Sequence, residues 1–120
     1  MNIPKPLIVF LDFKAERFVE QLLLSDRQAL SESCELAEAG FLADSGFKQV
    51  PSAPAFWEKT IQSGSHEWCM LSFWDRRYID TDYLVCTHGF AKVAGQIPAA
   101  EIAEADRIRL AHFNVSKRGV

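Results

Sequence analysis

The sequence has little cysteine and no long apolar run. Its three cysteines, Cys34, Cys69 and Cys86, are odd in number and show no CxxC spacing, which argues against a disulfide framework or a redox motif and favours buried free thiols. No stretch approaches the roughly 20 uninterrupted apolar residues of a membrane span, and residues 1–6 lack the basic-then-apolar order of a signal peptide. We therefore expect a cytoplasmic protein without a membrane partner.

Positive charge is also scarce. The chain has 13 Lys and Arg against 16 Asp and Glu, which gives a net charge of -3. Basic residues reappear in the second half, at Arg76, Arg77, Lys92, Arg107, Arg109, Lys117 and Arg118. This balance excludes a protein whose whole surface contacts nucleic acid, so any such contact must be local.

The length of 120 residues and a hydrophobic content of 48% leave room for one core. No repeat or linker divides the chain, so we expect a single domain over residues 1–120. The polar end of the chain predicts a frayed tail over residues 114–120.

Apolar patterning predicts the elements in the order β-α-α-β-β-β-α. Residues 7–13 form a β-rich apolar run, and a short helix fits residues 14–23. Ser25 and Gln28 resemble a capping box that begins a second helix, which ends near Gly40. Strands are predicted over residues 56–61, 67–75 and 83–88, and Pro98 begins a final helix that reaches about Phe113.

The pattern therefore predicts an α+β fold. Sequential antiparallel pairing of the three later strands is the simplest topology, since short turn segments separate them. The strand over residues 67–75 is apolar on both sides, so it should be central and covered by the helices on one side. We expect two N-terminal helices packed on a small twisted, mostly antiparallel sheet, with a C-terminal helix.

One region resembles a known family. Residues 83–92 read YLVCTHGFAK, followed by Gln96-Ile97-Pro98 and by a helix that opens with Glu101-Ile102-Ala103. This order is similar to the phage-derived, HigB-like branch of the RelE/ParE toxin superfamily, which has an apolar strand, His-Gly-Phe, a lysine pair, Lys-Thr-Pro and a Glu-Ile helix. Phe56-Trp57-Glu58 also resembles the family's Leu-Trp-Glu strand, so the similarity spans Phe56 to Arg109. The N-terminal half agrees in layout only.

The resemblance implies a RelE-like fold and the toxin component of a bacterial toxin–antitoxin pair. Active members cut messenger RNA on the ribosome without a metal or cofactor and arrest growth, and a cognate antitoxin, expected to be a helix-turn-helix protein, holds them inactive. The chemistry needs a base for the ribose 2′-hydroxyl, cations for the phosphate and an acid for the leaving oxygen. The expected catalytic residues are His88, Lys92, Arg76 and Lys59, and the expected RNA-binding residues are Arg77 and His66.

Several positions depart from the family pattern. Val93 stands in place of the second lysine, Gln96 in place of the lysine of Lys-Thr-Pro, and Thr60 in place of a basic residue. The strand that usually carries an arginine has none over residues 66–70. These departures leave two alternatives open: a catalytically degenerate binding module with the toxin fold, or a gyrase inhibitor of the ParE type.

Individual residues also have structural alternatives. His88 could be a structural histidine that hydrogen-bonds a neighbouring loop, and Arg76 and Arg77 could form a surface charge cluster with Asp75, Asp80 and Asp82.

Two further site types are not favoured. His66-x-x-Cys69 and Cys86-x-His88 suggest zinc ligands, but residues three apart in a strand point to opposite faces, so no metal site is expected. Trp57, Trp68 and Trp74 could stack nucleobases, although core packing is the more common role of tryptophan in a small domain.

Overall fold

The computed structural model describes the backbone of residues 5–118 and the side chains of residues 5–114. Three helices and five strands follow one another as β1 (Leu7–Leu11), α1 (Phe13–Glu20), α2 (Leu24–Glu38), β2 (Lys48–Gln49), β3 (Trp57–Ser63), β4 (His66–Asp75), β5 (Asp82–Ala91) and α3 (Ala99–Arg118). The predicted order of elements is confirmed. The two-residue strand β2 is an addition that the apolar pattern does not reveal.

The five strands form one open sheet in the order β1-β5-β4-β3-β2. β3, β4 and β5 pair antiparallel in sequence, as predicted, while β1 lies parallel to β5. The fold is therefore α+β with a mostly antiparallel sheet. The outer edge of β1 is partly closed, because a carboxylate oxygen of Glu38 accepts a hydrogen bond of 2.8 Å from the Val9 N–H. Such a cap discourages pairing with a further strand.

Helices cover both faces of the sheet, whereas the sequence predicts cover on one side of β4. On the first face, buried residues of α1 and α2 such as Ala15 and Leu30 pack against Met70 and Leu84. On the second face, Ala105 of α3 joins a core that contains Leu71, Phe73 and Val85. We call these the α1/α2 face and the α3 face. The alternation of apolar residues on both sides of β4 thus reflects two cores.

Helix boundaries differ from the predicted ones. α2 begins at Leu24, and no side chain caps it, so Ser25 lies in the first turn and the predicted capping box does not form. α3 continues to Arg118, beyond the predicted end near Phe113, so residues 114–118 are helical instead of frayed. Residues 119–120 of the predicted tail lie outside the described residues. Among the helices of residues 5–118, none combines the length and hydrophobicity of a membrane span.

Candidate functional site

A bulge in β5 decides where His88 points. Leu71 of β4 is opposite His88 and Ser72 is opposite Cys86, which leaves Thr87 as an extra residue. The Thr87 hydroxyl donates to the Leu71 carbonyl at 3.2 Å and lies 3.0 Å from Nδ1 of His88. A bulge shifts the following side chains to the other face of a strand. His88 therefore lies on the α3 face, while Cys86 packs on the α1/α2 face.

His88 is enclosed between the sheet and α3. Its side chain is 9% exposed, and Nε2 lies 3.5 Å from a carboxylate oxygen of Glu101 on α3. Burial lowers the pKa of His88 below its ordinary value, although the charge of Glu101 opposes this effect. His88 is thus a neutral imidazole that could accept a proton, but a phosphodiester has no room beside it while α3 is in place.

Lys92 follows β5 and is surrounded by acceptors. Its ammonium lies 2.9 Å from a carboxylate oxygen of Glu58, 2.9 Å from the Thr60 hydroxyl and 3.5 Å from a carboxylate oxygen of Glu67. The side chains of Lys92 and Glu58 are 9% and 8% exposed. Burial alone would lower the pKa of Lys92, but the hydrogen bond and charge of Glu58 raise it above the ordinary value. The lysine charge is therefore neutralised within the protein.

The surroundings of His88 and Lys92 carry excess negative charge. His88, Leu71 and Glu58 occupy one row across β5, β4 and β3, so their side chains share the α3 face. The ammonium of Lys92 meets the carboxylates of Glu58 and Glu67, and His88 faces a third carboxylate, that of Glu101. Burial, followed by the charge of Glu58, raises the pKa of the nearby Cys69 thiol to about 12. The carboxylates that face Lys92 and His88 therefore outnumber the one ammonium that contacts them directly.

Lys59 lies on the opposite side of the sheet. It is opposite Met70 in the register, and Met70 belongs to the core of the α1/α2 face. Its ammonium sits beside Gly46, and burial lowers its pKa while the neighbouring Cys34 opposes the shift. Lys59 therefore cannot act together with His88 and Lys92, because the sheet separates them.

Arg76 and Arg77 lie beyond the far end of β4. Leu71, the partner of His88, and Arg76 are five residues apart, which corresponds to about 16 Å along a strand. Arg76 stacks on Trp74 at 4.3 Å and approaches Asp82 at 3.9 Å, while Arg77 binds Asp75 at 2.7 Å. Each arginine thus pairs with one of the carboxylates named in the alternative interpretation, although Asp75 is buried and does not lie on the surface.

His66 does not approach the other predicted residues either. Its ring stacks on Trp68 with centroids 5.6 Å apart at the start of β4, beside a cleft of about 290 Å³ that Phe18, Leu22 and Leu23 also line. The position is exposed, at the corner where α1 meets α2.

The proposed zinc ligands are divided between the two faces. His66 and Cys86 lie on the α1/α2 face, whereas Cys69 and His88 lie on the α3 face. Within the side chains that the structure describes, no three His, Cys, Asp or Glu residues are arranged to hold a metal ion. The three cysteines are free thiols, and Cys69 and Cys86 are buried.

The three tryptophans pack against the core, as their structural interpretation predicts. Trp57, Trp68 and Trp74 are partly buried against the hydrophobic cluster of the α1/α2 face. Trp57 and Trp74 meet edge to face with centroids 5.9 Å apart. They do not form an open stacking platform.

A second polar cluster lies at the Arg77 end of the sheet, and the part that His112 plays in it is absent from the sequence predictions. Asp75, the last residue of β4, binds both Arg77 and His112 of α3, and the His112 contact measures 2.8 Å. Asp75 and His112 are 37 positions apart, and no motif or spacing links them. Glu58, Glu67 and Glu101 were likewise missed, although Glu58 falls within the Trp-Glu segment that carries the family resemblance.

Exposed apolar side chains border this second cluster. A groove of about 480 Å³ runs between β1 and α3, and we call it the β1–α3 groove; its lining residues are Phe10, Asp12, Phe13, Lys14, Arg107, Ile108, Ala111 and His112. Phe10 is 48% exposed and Phe13 is 67% exposed. A smaller cleft of about 190 Å³ adjoins the groove and shares Phe10 and His112 with it.

No family model matches the chain, and no curated protein matches it either.

Proposed function

We propose that this chain is a protein of the RelE/ParE type that acts by binding a partner protein and does not cut RNA at His88 and Lys92. The observation that carries the proposal is the enclosure of Lys92 by Glu58, Thr60 and Glu67. The layout supports the family: two helices follow β1, a meander of three strands follows them, and the final helix packs on the sheet.

Metal-independent RNA cleavage needs cations that reach the phosphate. A charge-assisted contact between an ammonium and a phosphate requires a lysine that is free to approach it. Lys92 is already hydrogen-bonded to a carboxylate, and the other cations predicted for the site lie elsewhere: Lys59 on the opposite face and Arg76 beyond the far end of β4. The site would have a base, His88, but no free cation to stabilise the transition state.

The β1–α3 groove supports the binding role. Phe10 and Phe13 expose large apolar areas side by side, and such contiguous patches mark protein-protein contact sites. The groove is rimmed by charged side chains, with Lys14 and Arg107 both bound to Glu104. An apolar centre with a polar rim is the usual anatomy of an interface. The expected partner is the antitoxin-like helix-turn-helix protein that the family resemblance implies.

The test compares Phe13→Ser with Leu24→Ser. Each residue is the first of its helix, and their exposures of 67% and 62% are similar, so the two changes should affect folding alike. Only Phe13 lies in the groove. We expect Phe13→Ser to weaken binding of an antitoxin-like helix-turn-helix partner by about 30-fold, the effect of an interface hot spot, and Leu24→Ser by less than about 2-fold. Calorimetric titration measures both.

Equal affinities for the two variants would contradict the proposed surface. A gyrase supercoiling assay on the same proteins addresses the ParE-type alternative. Inhibition by the wild type that Phe13→Ser removes, with RNA intact, would support a protein partner and identify it as gyrase. Inhibition that Phe13→Ser leaves unchanged would place the contact outside the groove and overturn the proposal.

A further inference from the structure

The pair formed by Asp75 and His112 is a fixed hydrogen-bonding group in the smaller cleft that adjoins the β1–α3 groove. The Asp75 side chain is 2% exposed, and Arg77 binds it with two nitrogens at 2.8 and 2.7 Å. The pKa of Asp75 lies well below its ordinary range, chiefly because Arg77 donates hydrogen bonds to the carboxylate. Asp75 therefore remains ionised, and its charge is balanced by the guanidinium of Arg77.

This arrangement sets the hydrogen-bonding direction of His112. An ionised carboxylate only accepts hydrogen bonds, so Nε2 of His112 must carry the proton that it shares with Asp75 at 2.8 Å. In the neutral imidazole the other nitrogen, Nδ1, then holds a lone pair and accepts hydrogen bonds. The ring itself is held in place, because it packs edge to face against Phe73 and Phe113 at centroid distances of 5.3 Å.

The cleft beside this imidazole has mainly aromatic and aliphatic walls. Its volume is about 190 Å³, and its lining residues are Phe10, Asp75, Tyr78, Tyr83, Val85 and His112. Tyr78 and Tyr83 meet edge to face at 5.3 Å. Asp75 is the one acidic residue of this lining and is paired with Arg77, so the walls favour an uncharged occupant over a cation. Aromatic rings pack well against one another in offset or edge-to-face contacts.

We propose that this cleft binds an aromatic side chain of the partner protein that carries a hydrogen-bond donor, namely tyrosine or tryptophan. The inference rests on the proposed binding function and names the chemistry of one anchor residue. The phenol O–H or indole N–H donates to Nδ1 of His112, while the ring lies against Phe10 and Tyr83. Because the cleft adjoins the β1–α3 groove through Phe10 and His112, the anchor occupies one end of the same interface.

The experiment is a heteronuclear NMR titration of the ¹⁵N-labelled full chain with single-residue probes. N-acetyl-tyrosinamide and N-acetyl-tryptophanamide are compared with the phenylalanine and leucine analogues. We expect a dissociation constant on the order of 1 mM for the first two. The phenylalanine analogue, which lacks the donor, should bind about 5-fold more weakly, as the loss of one hydrogen bond implies. The largest shifts should fall on Val85 and on the His112 imidazole.

His112→Phe provides the variant arm and His66→Phe its matched control. His66 is also packed against an aromatic ring but lies outside the cleft. We expect His112→Phe to abolish the preference for the tyrosine probe over the phenylalanine probe and His66→Phe to preserve it. If His112→Phe unfolds, the comparison of the four probes on the wild type still decides the matter.

Absence of shifts at the cleft, or equal binding of the tyrosine, phenylalanine and leucine probes, would overturn the inference. If Phe13→Ser still weakens partner binding while the probes do not distinguish aromatic donors, the anchor fails and the proposed function survives. If the probes bind as expected but Phe13→Ser leaves partner binding unchanged, the cleft does bind aromatic donors and the proposed function fails.

Discussion

Replacing Lys92 by alanine should destabilise the fold strongly. The size of the loss distinguishes a lysine that stabilises the fold from one whose ammonium is free to bind a substrate. The change removes the only ammonium that contacts Glu58, whose side chain is 8% exposed, among the contacts described. It leaves a carboxylate in a site that water barely reaches. The Thr60 hydroxyl also loses its bond of 2.9 Å.

The magnitude follows from the burial of the pair. Removing one partner of a buried ion pair costs about 3–5 kcal/mol, because the remaining charge is uncompensated. We expect about 3 kcal/mol here, since Glu67 at the edge of the cluster is 36% exposed and admits some water. For a chain of 120 residues, each kcal/mol lowers Tm by about 4 °C, so the expected shift is about 12 °C.

Urea and thermal unfolding measure the effect, and two variants calibrate it. Lys14→Ala removes an exposed lysine that pairs with Glu104, so it should cost no more than about 1 kcal/mol. The double variant Lys92→Met, Glu58→Leu replaces the pair with apolar groups and should recover most of the loss. A loss below about 1 kcal/mol for Lys92→Ala would refute the reasoning and return Lys92 to the set of available cations.

Two other substitutions test the packing around β5. Gly89→Ala should destabilise the protein by about 3 kcal/mol or more in urea unfolding, since a Cβ at this position overlaps the ring of Phe18 on α1. A change in the free energy of unfolding of less than about 0.5 kcal/mol would show that Phe18 does not pack against Gly89 as described. His88→Gln should flatten the acid side of the stability profile. Because the pKa of His88 is lowered in the folded state, the unfolded chain binds a proton at a higher pH than the folded chain does. The wild type therefore loses stability as the pH falls below the histidine pKa of the unfolded chain, about 6.5. The variant has no imidazole at this position and lacks this loss. Parallel profiles for both proteins in that window would contradict the burial of His88.

The order of elements could be predicted because each left a local pattern. The apolar run before α1, the alternation along β4 and the proline before α3 each follow from the period of one element. Antiparallel pairing of β3, β4 and β5 followed from short connections. The two-residue strand β2 has no such signal, since Lys48 and Gln49 are both exposed.

The arrangement of the candidate site could not be predicted, because it depends on a bulge and on distant partners. Simple alternation places His88 and Cys86 on the same face, and only the extra residue Thr87 separates them. Lys92 meets Glu58 across 34 positions of sequence, and no local rule anticipates that contact. Residue types alone made Lys59 and His88 look like members of one site, although the sheet lies between them.

The measurement that tests the central claim most directly is the mapping of transcript ends after brief, tightly regulated expression of the wild type and of His88→Gln. The account predicts no new RNA ends with either protein, because Lys92 is bound to Glu58 and His88 is covered by α3. New ends that appear with the wild type and disappear with His88→Gln would contradict it and establish His88 as a catalytic residue.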